Sequence, residues 1–589
     1  VILYPSQLTG RRVYWLLTVD VGGVLMRMAD DEVDVVTASG QVLHYSAGLD
    51  GIETTEGIDL FGDSVGQLSV PLEFIAPPGV SIAALVARGG DLSAGRGELA
   101  RWVEGTTYEA RRVVLVGGLS DPEYGDDGEA VATSLEERLA YDETLTSAAS
   151  LATTATNWAH TADLLDDWID VPYPIVIGRP GYQGGSSYVT GSPAVWADHR
   201  DDGGTSFGGR AVGNICVLAG HHVSANYVYL NHDQYTAADK RFRVINGFDL
   251  GGNPIAFVAW YITTTSADAF EYDSLAVYTW FTSTDPATTT GGPTVSFGAL
   301  YVDLEATFTS TDQLPLFVVW KDEATVNGGG GGLIRDGVLI RSAGDVLQYL
   351  LSLTSIPVDA GRFAAAAPLL DAFQLDATIT ERVNVWELIQ DEILPLLPVS
   401  LVSGPEGLYP VVWRYSAGPG DAVLVLNADT DPDVSRAGRV AYDSSDRKNR
   451  FTLEYQLSYR TGSYQASLTY GAAADAADDA SVTVHPACTY ARARTGLVVE
   501  QSMSSAWVYD SATARAVLEW QAAAYALPTR TVAYLVPEVA FVHVERGMIV
   551  SVTDSSIYLA GALCMVRDVL TDGSGYLTLT LQLIEAPNG

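Results

Sequence analysis

Hydrophobic and polar residues alternate with a period of two along most of the chain, the pattern of strands buried on one face only. From position 451, Phe451, Leu453, Tyr455, Leu457 and Tyr459 share one face of an extended segment, and Thr452, Glu454, Gln456 and Ser458 share the other. From 576 to 583 the leucines Leu577, Leu579, Leu581 and Leu583 alternate with Thr578, Thr580 and Gln582. The same reading predicts strands over 13–19, 33–37, 68–74 and 111–116 near the start of the chain. Further strands are predicted over 255–262, 276–281, 302–308 and 316–320, near Val399 and Val411, and over 531–535, 540–544, 548–553 and 565–570. Segments wetted on one face suit antiparallel sheets and barrels.

Helical spacing is rarer. Leu99, Trp102 and Val103 predict one helix over 92–103, although Gly95 and Gly97 cost it about 1 kcal/mol each in propensity. Val346, Leu347, Leu350 and Leu351 keep helical spacing behind Ser342, and a short helix is predicted over 364–370 against the resistance of Pro368. Another opens at Asn384, where Asn384 and Glu387 have capping-box spacing. Leu388, Ile389 and Ile393 form its apolar side, and Pro395 is expected to stop it. The strongest helix spans 511–527, with Ala514, Val517, Leu518, Ala522 and Tyr525 on its buried stripe and Pro528 after it.

Breaks divide these elements. The five glycines 328–332 offer no resistance to bending, the run 416–420 is a second break, and a weaker one lies near Pro172 to Pro180. Four regions follow: 1–175, mostly strands with one helix; 176–330, rich in β-branched and aromatic residues and read as a separate β-sandwich; 331–424, a small α+β unit; and 425–589, strands with one good helix. The first and fourth share a plan of strands, one helix and more strands. At roughly 150 residues per domain, 589 residues also suggest about four domains.

Charge narrows the functional classes. The chain carries 33 Lys+Arg against 72 Asp+Glu, a formal net charge of −39. So acidic a chain lacks the clustered cations that hold nucleic acid phosphates or anionic membrane. Cys216, Cys488 and Cys564 are far apart, fit no zinc spacing and read as small buried hydrophobes. The opening Val-Ile-Leu-Tyr-Pro lacks the basic flank of a signal peptide, and no apolar run reaches the ~18 residues of a membrane helix.

No catalytic, cofactor-binding or metal-binding residue is assigned. The sequence holds no GxSxG, HExxH, GxxxxGK[ST] or strand-linked GxGxxG motif. His199, His221, His222 and His232 have no recognised ligand spacing and read as strand-end and loop residues. Asp429, Asp431 and Asp433 alternate like the first ligands of an EF-hand, but Val434 and Val440 stand where that loop needs Gly and Glu. Asp198, Asp201 and Asp202, and Asp121, Asp126, Asp127 and Glu129, are two further acidic groups; all three read as solvated loop carboxylates. With 72 acids, the paired carboxylates of a glycosidase arise by chance and identify nothing. Tyr227, Tyr229, Trp260, Tyr261, Tyr272 and Trp280 are candidates for a sugar-stacking face, with a strand core as the plainer reading.

Leu-Ser-Ala-Gly-Arg-Gly-Glu-Leu-Ala-Arg-Trp-Val-Glu-Gly at 92–105, followed by Tyr-Glu-Ala-Arg-Arg-Val-Val-Leu-Val-Gly at 108–117, resembles the helix and strand that flank the tube-like sheet in the tail hub proteins of tailed bacteriophages. Asp-Pro-Glu-Tyr-Gly at 121–125, leading to Ser-Leu-Glu-Glu at 134–137, continues the likeness. Residues 386–398 resemble their α+β domain. Residues 531–536 and 545–554 are similar to a recurring Gly-Asp-Val-Val-x-Val-Thr-Asp strand, with Met548 in place of the Asp. Region 176–330 lies outside the resemblance.

The resemblance implies a mainly β chain with α+β parts. It would contain two tail-tube-like β-barrels, each with a flanking helix, plus an inserted peripheral β-sandwich and the small α+β domain. It implies a homotrimer forming a pseudo-sixfold ring at the virion tail tip or baseplate. Its partners would be the distal tail protein, the tail tube and tip or fibre proteins, and DNA would pass without specific binding. An acidic wall suits that passage, because it does not retain phosphate. It implies no enzyme, no cofactor and no membrane span. The alternative is a β-rich protein of the host-recognition apparatus that binds or hydrolyses a cell-surface glycan.

Overall fold

A computed structural model describes residues 11–50, 52–57, 69–87, 92–124, 130–136, 165–184, 187–188, 192–201, 210–223, 227–232, 240–248, 253–263, 316–319, 334–335, 338–415, 417–444, 447–571 and 574–584. The architecture is mainly β with few helices. No helix among the described residues is long and apolar enough to cross a membrane.

The first sheet is built from β1 (Val13–Val21), β2 (Val24–Ala29), β3 (Val33–Val36), β4 (Val42–Ala47), β5 (Leu49–Asp50), β7 (Ser69–Ile75), β8 (Arg96–Val103), β9 (Arg112–Tyr124) and β10 (Ala130–Glu136), in the order β3-β4-β2-β1-β8-β9-β10-β7-β5. The strand β6 (Thr54–Gly57) leaves this sheet for another. Strict alternation survives in β7 and β10: Val70, Leu72, Phe74, Val131 and Leu135 face one core with Leu17, Val19, Leu99 and Leu119. The path curls until its ends share one stretch of chain. Ser46 and Ala47 pair with β2, Leu49 pairs with Phe74 of β7, and Gly48 between them donates to Ala29 O (3.1 Å) and accepts from Ile75 N (2.7 Å).

The helix expected over 92–103 is a strand. Residues 92–94 make a single tight turn, and Arg96–Val103 pairs with β1 on one side and β9 on the other. Leu99, Ala100, Trp102 and Val103 are all buried because the strand is covered on both faces, which gave an apolar run, broken by Arg101, that imitates helical spacing. Gly97 has a local reason: a Cβ there would stand 2.7 Å from Leu135 Cδ1 across the curled interior. Among the described residues of this region the α-helix is Ile82–Ala87, between β7 and β8.

The second large sheet lies near the other end of the chain. Its order is Leu424–Asn427, Ile549–Asp554, Leu559–Thr571, Tyr576–Leu583, Thr529–Pro537, then Ser435–Arg436, with Ala441–Asp443 also on Thr529–Pro537. Here too one short stretch supplies both edges: residues 428–434 join Leu424–Asn427 at one side to Ser435–Arg436 at the other. Leu426 from one edge and Val434 from the connection enter the same core as Val532, Tyr534, Val552, Val566, Leu579 and Leu581. Strands expected over 531–535, 548–553 and 565–570 are present; the one expected over 540–544 is not. There the chain makes a helical turn, Glu538–Phe541, which puts Val539 and Val542, three positions apart, beside Val103.

An α+β core draws on 340–412, between the two sheets in sequence, together with 451–526, inserted within the second. Helices Ala343–Ser352 and Ala360–Leu370 form; Pro368 sits near the end of the second without stopping it. Asn384 caps the next helix, accepting from Trp386 N (2.8 Å) and Glu387 N (3.1 Å); a wide turn then carries the helical path to Leu396, past Pro395. The helix Ser511–Tyr525 forms as its stripe predicts. Asp510 caps it by accepting from Thr513 N (2.8 Å) and Thr513 Oγ1 (2.9 Å). Its main packing surface is the four-stranded sheet of Arg450–Ser458 and its neighbours, not the eight-stranded sheet. The alternation read from Phe451 holds through Tyr455. At Gln456 (φ 64°) the strand bulges, and Gln456 turns inward to donate from Nε2 to Tyr509 O (2.7 Å).

Residues 176–330 contribute a seven-stranded antiparallel sheet in the order Lys240–Arg243, Tyr227–His232, Leu316–Val319, Ser192–Asp201, Arg210–Ala219, Pro254–Thr263, Ile245–Phe248. The strands expected over 276–281 and 302–308 lie outside the described residues.

Candidate functional site: the seam between the two terminal sheets

The strand β6 pairs antiparallel with the second half of Leu559–Thr571, Glu56 opposite Val569 and Thr54 opposite Thr571. A piece of the first region thus completes the sheet of the fourth, and buried charge locks the junction. Arg101 on β8 and Arg112 on β9 are direct cross-strand partners. Like charges in that relation repel, and both side chains are buried, so each needs its own carboxylate. Arg101 Nη2 meets Glu538 Oε1 at 2.5 Å, and Arg112 Nη2 meets Glu56 Oε2 at 2.5 Å. Arg112 Nη1 also donates to Val542 O (3.3 Å). The Arg101 guanidinium lies 5.6 Å from the centroid of the Trp15 ring. Burial pushes the Arg101 pKa down to about 10, against the pull of Glu538.

Beside these pairs runs a cleft of about 680 Å³. Its walls are apolar, with Val103 on the first sheet and Val423, Leu424, Phe541, Val544 and Met548 on the second; Glu109, Arg111 and His543 also line it. Arg111 is engaged elsewhere, with Nε donating to Glu98 Oε1 (2.8 Å) and its guanidinium over Tyr108. The buried ion pairs and the apolar walls lie where the first and fourth regions meet.

The acidic and histidine groups read from sequence fare differently. Asp429 accepts from Ser555 N (2.9 Å) and Ser555 Oγ (2.8 Å), and Asp431 accepts from Asp433 N (3.0 Å), so these carboxylates shape loops. No group of three or more metal-ligating side chains occurs among the described residues. Asp198 and Asp201 lie on Ser192–Asp201 and Asp121 on β9, while Asp126, Asp127, Glu129 and Asp202 lie outside the described residues. The strand of Tyr227 and Tyr229 is separated from that of Trp260 and Tyr261 by three others in the strand order. Tyr272 and Trp280 are outside the described residues. Cys216, Cys488 and Cys564 are buried free thiols, and Cys564 Sγ donates to Ala562 O (3.9 Å).

His199 and His232 lie on two strands that both flank Leu316–Val319. His221 is buried: its Nε2 accepts from Val176 N (3.0 Å), and its Nδ1 donates to His222 O (3.0 Å). That bonding needs the neutral ring, and burial pushes the pKa down to about 4. The unfolded chain takes up this proton near the ordinary ~6.5. Between those values the unfolded state binds more protons, so stability falls as pH falls from about 6.5 towards 4, by at most about 1.4 kcal/mol per pH unit. Melting temperature against pH is therefore expected to slope more steeply in the unaltered chain than in His221→Phe; equal slopes would refute the assignment.

Arg101, Arg112, Glu56 and Glu538 escaped the sequence reading. The available signal was an arginine inside an apolar run, Ala100-Arg101-Trp102, and another opening Val-Val-Leu-Val at 113–116. A cation within a buried strand implies a carboxylate partner but does not say which of 72 it is.

No family model matches the sequence, and no curated protein matches it. Among solved structures, the chain is similar to a tail protein from Neisseria meningitidis (11% identity, 97% of this chain and 96% of that one, TM-score 0.36). It is also similar to the 43 kDa tail protein of prophage MuSo2 from Shewanella oneidensis (9%, 97% and 99%, TM-score 0.34). A third similarity is to the prophage tail protein gp18 from Listeria monocytogenes (13%, 35% and 56%, TM-score 0.21).

Proposed function

We propose that the chain is a structural virion protein, a bacteriophage tail hub, rather than an enzyme. In this reading 1–175 and 425–589 each contribute a tube-like unit, 331–424 is the α+β hub domain, sharing its core with residues 451–526, and 176–330 is a peripheral insertion. The observation that carries it is the repeated closure device. In each terminal sheet one short stretch of chain serves both ends of the strand path, around a core of its own. Two such units fixed side by side in one chain let three copies present six similar walls. A ring of that kind matches a sixfold tube on one side and threefold tip or fibre proteins on the other. The net charge of −39 suits a channel that passes DNA without holding it.

Light scattering or native mass measurement tests the reading. The expected species is three chains, alone or with tail-tube and tip proteins present. A single-chain mass throughout, with those partners added, contradicts it.

A further inference from the structure

We infer that copies of the chain join head to tail through two open sheet edges, the strand Val33–Val36 of one copy against the stretch 435–443 of the next. The inference rests on the proposed hub for its closure at three chains, and it names the surfaces that would make that closure. Both edges offer unused main-chain bonds. β3 ends the strand order of the first sheet and is paired, among the described residues, with β4 alone. Ser435–Arg436 and Ala441–Asp443 lie along one side of Thr529–Pro537, opposite Leu535 at one end and Thr529 at the other, and have no second strand neighbour among the described residues. An open edge is a template for another strand. Each edge also presents apolar side chains to solvent: Val36 and its cross-strand partner Val42, 46% and 57% exposed, and Tyr442, 66% exposed.

Charge decides which edges can meet. Asp30, Asp31, Glu32 and Asp34 lead into and occupy β3, and the first region holds 9 Lys+Arg against 28 Asp+Glu. Arg12 engages Asp30 and Asp31, while Glu32 is exposed and Asp34 is exposed beside His44 (2.9 Å). The other edge reverses the sign. Arg436 and Arg439 lie on it, Arg447 and Lys448 follow it, and Arg530 is the cross-strand partner of Tyr442. Asp443 is the one acid among the described residues of 435–450, and the fourth region holds 12 Lys+Arg against 18 Asp+Glu. In a chain of net charge −39, copies repel at most orientations, so this cationic edge is where a second copy can approach. Pairing either edge with its own kind sets like charges opposite one another, whereas the unlike combination attracts. Two different surfaces in contact make a heterologous interface, the kind that closes into a ring rather than a two-fold dimer.

Native mass measurement on three full-chain variants tests this: Glu32→Lys with Asp34→Lys, Arg439→Glu with Lys448→Glu, and all four together. The unaltered chain is expected as three chains. Each two-site variant is expected as single chains at the same concentration, its dissociation constant raised at least about 100-fold by like charges in contact. The four-site variant, whose edges again differ in sign, is expected to regain the three-chain mass. Far-UV circular dichroism should be unchanged in all three. Independently, dissociation of the unaltered trimer should rise about 10-fold or more as salt is raised from about 0.05 to 0.5 M. Trimers that persist in either two-site variant, a four-site variant that stays single, or dissociation indifferent to salt each overturn the edge contact and leave the hub reading standing. A single-chain mass for the unaltered protein also overturns the contact, and the hub reading is then decided with tail-tube and tip proteins added.

Discussion

Arg101→Ala is expected to destabilise the chain by about 3–5 kcal/mol, the usual cost of removing one member of a buried ion pair. Glu538 is 6% exposed, and its ion-pair partner is Arg101, so truncation strands a desolvated carboxylate. The neighbouring Arg112 does not rescue it, since its Nη2 is already engaged by Glu56 at 2.5 Å. Replacing both members with apolar residues, Arg101→Met with Glu538→Leu, should recover most of the loss, because no unpaired charge then remains. Denaturant unfolding of the three variants makes the comparison. A loss below about 1 kcal/mol for Arg101→Ala would mean that the two sheets are not held together through this pair.

Asp376→Ala is expected to cost a similar amount, about 3–5 kcal/mol, at a second junction. Asp376 is fully buried. Its oxygens accept from Arg341 Nε and Nη2, both at 2.6 Å, and from Arg179 N at 2.8 Å, and its own N–H donates to Trp507 O at 2.9 Å. One carboxylate therefore ties the start of the second region to the α+β core, and Arg341 extends the link to Asp510 at the cap of the long helix (3.5 Å). Gly178 (φ 61°) lies so close that a Cβ there would collide with Asp376 Oδ1, so Gly178→Ala should reproduce part of the defect. Asp376→Asn, which keeps an acceptor, should lose less than Asp376→Ala. If the two variants unfold alike, the hydrogen-bonded cluster is not what stabilises this junction.

Much of the fold was legible because its strands have one wet face. Phe451 to Tyr455 and Leu577 to Leu583 announced themselves by alternation alone, and Asn384 and Pro528 marked helix ends by local bonding chemistry. Reading failed where tertiary packing covers both faces. Arg96–Val103 sends Leu99 into one core and Trp102 into another and so lost its alternation, and the glycines that fit it to a crowded interior looked like weak points in a helix. It failed also at 540–544, where Val542 and Val544 are buried by a turn rather than by a strand. The seam was illegible for a different reason. Its pairs join Arg101 to Glu538 and Arg112 to Glu56, residues brought together by β6 crossing into the other sheet, and no local pattern encodes that crossing.

In the proposed hub, three chains, each with two curled terminal sheets, imitate sixfold geometry. Electron-microscopic class averages of the purified assembly measure this most directly. The expected image viewed down the axis is a threefold ring with six similar lobes around an open centre. A lone particle, or a ring whose lobes number three around a filled centre, would contradict it.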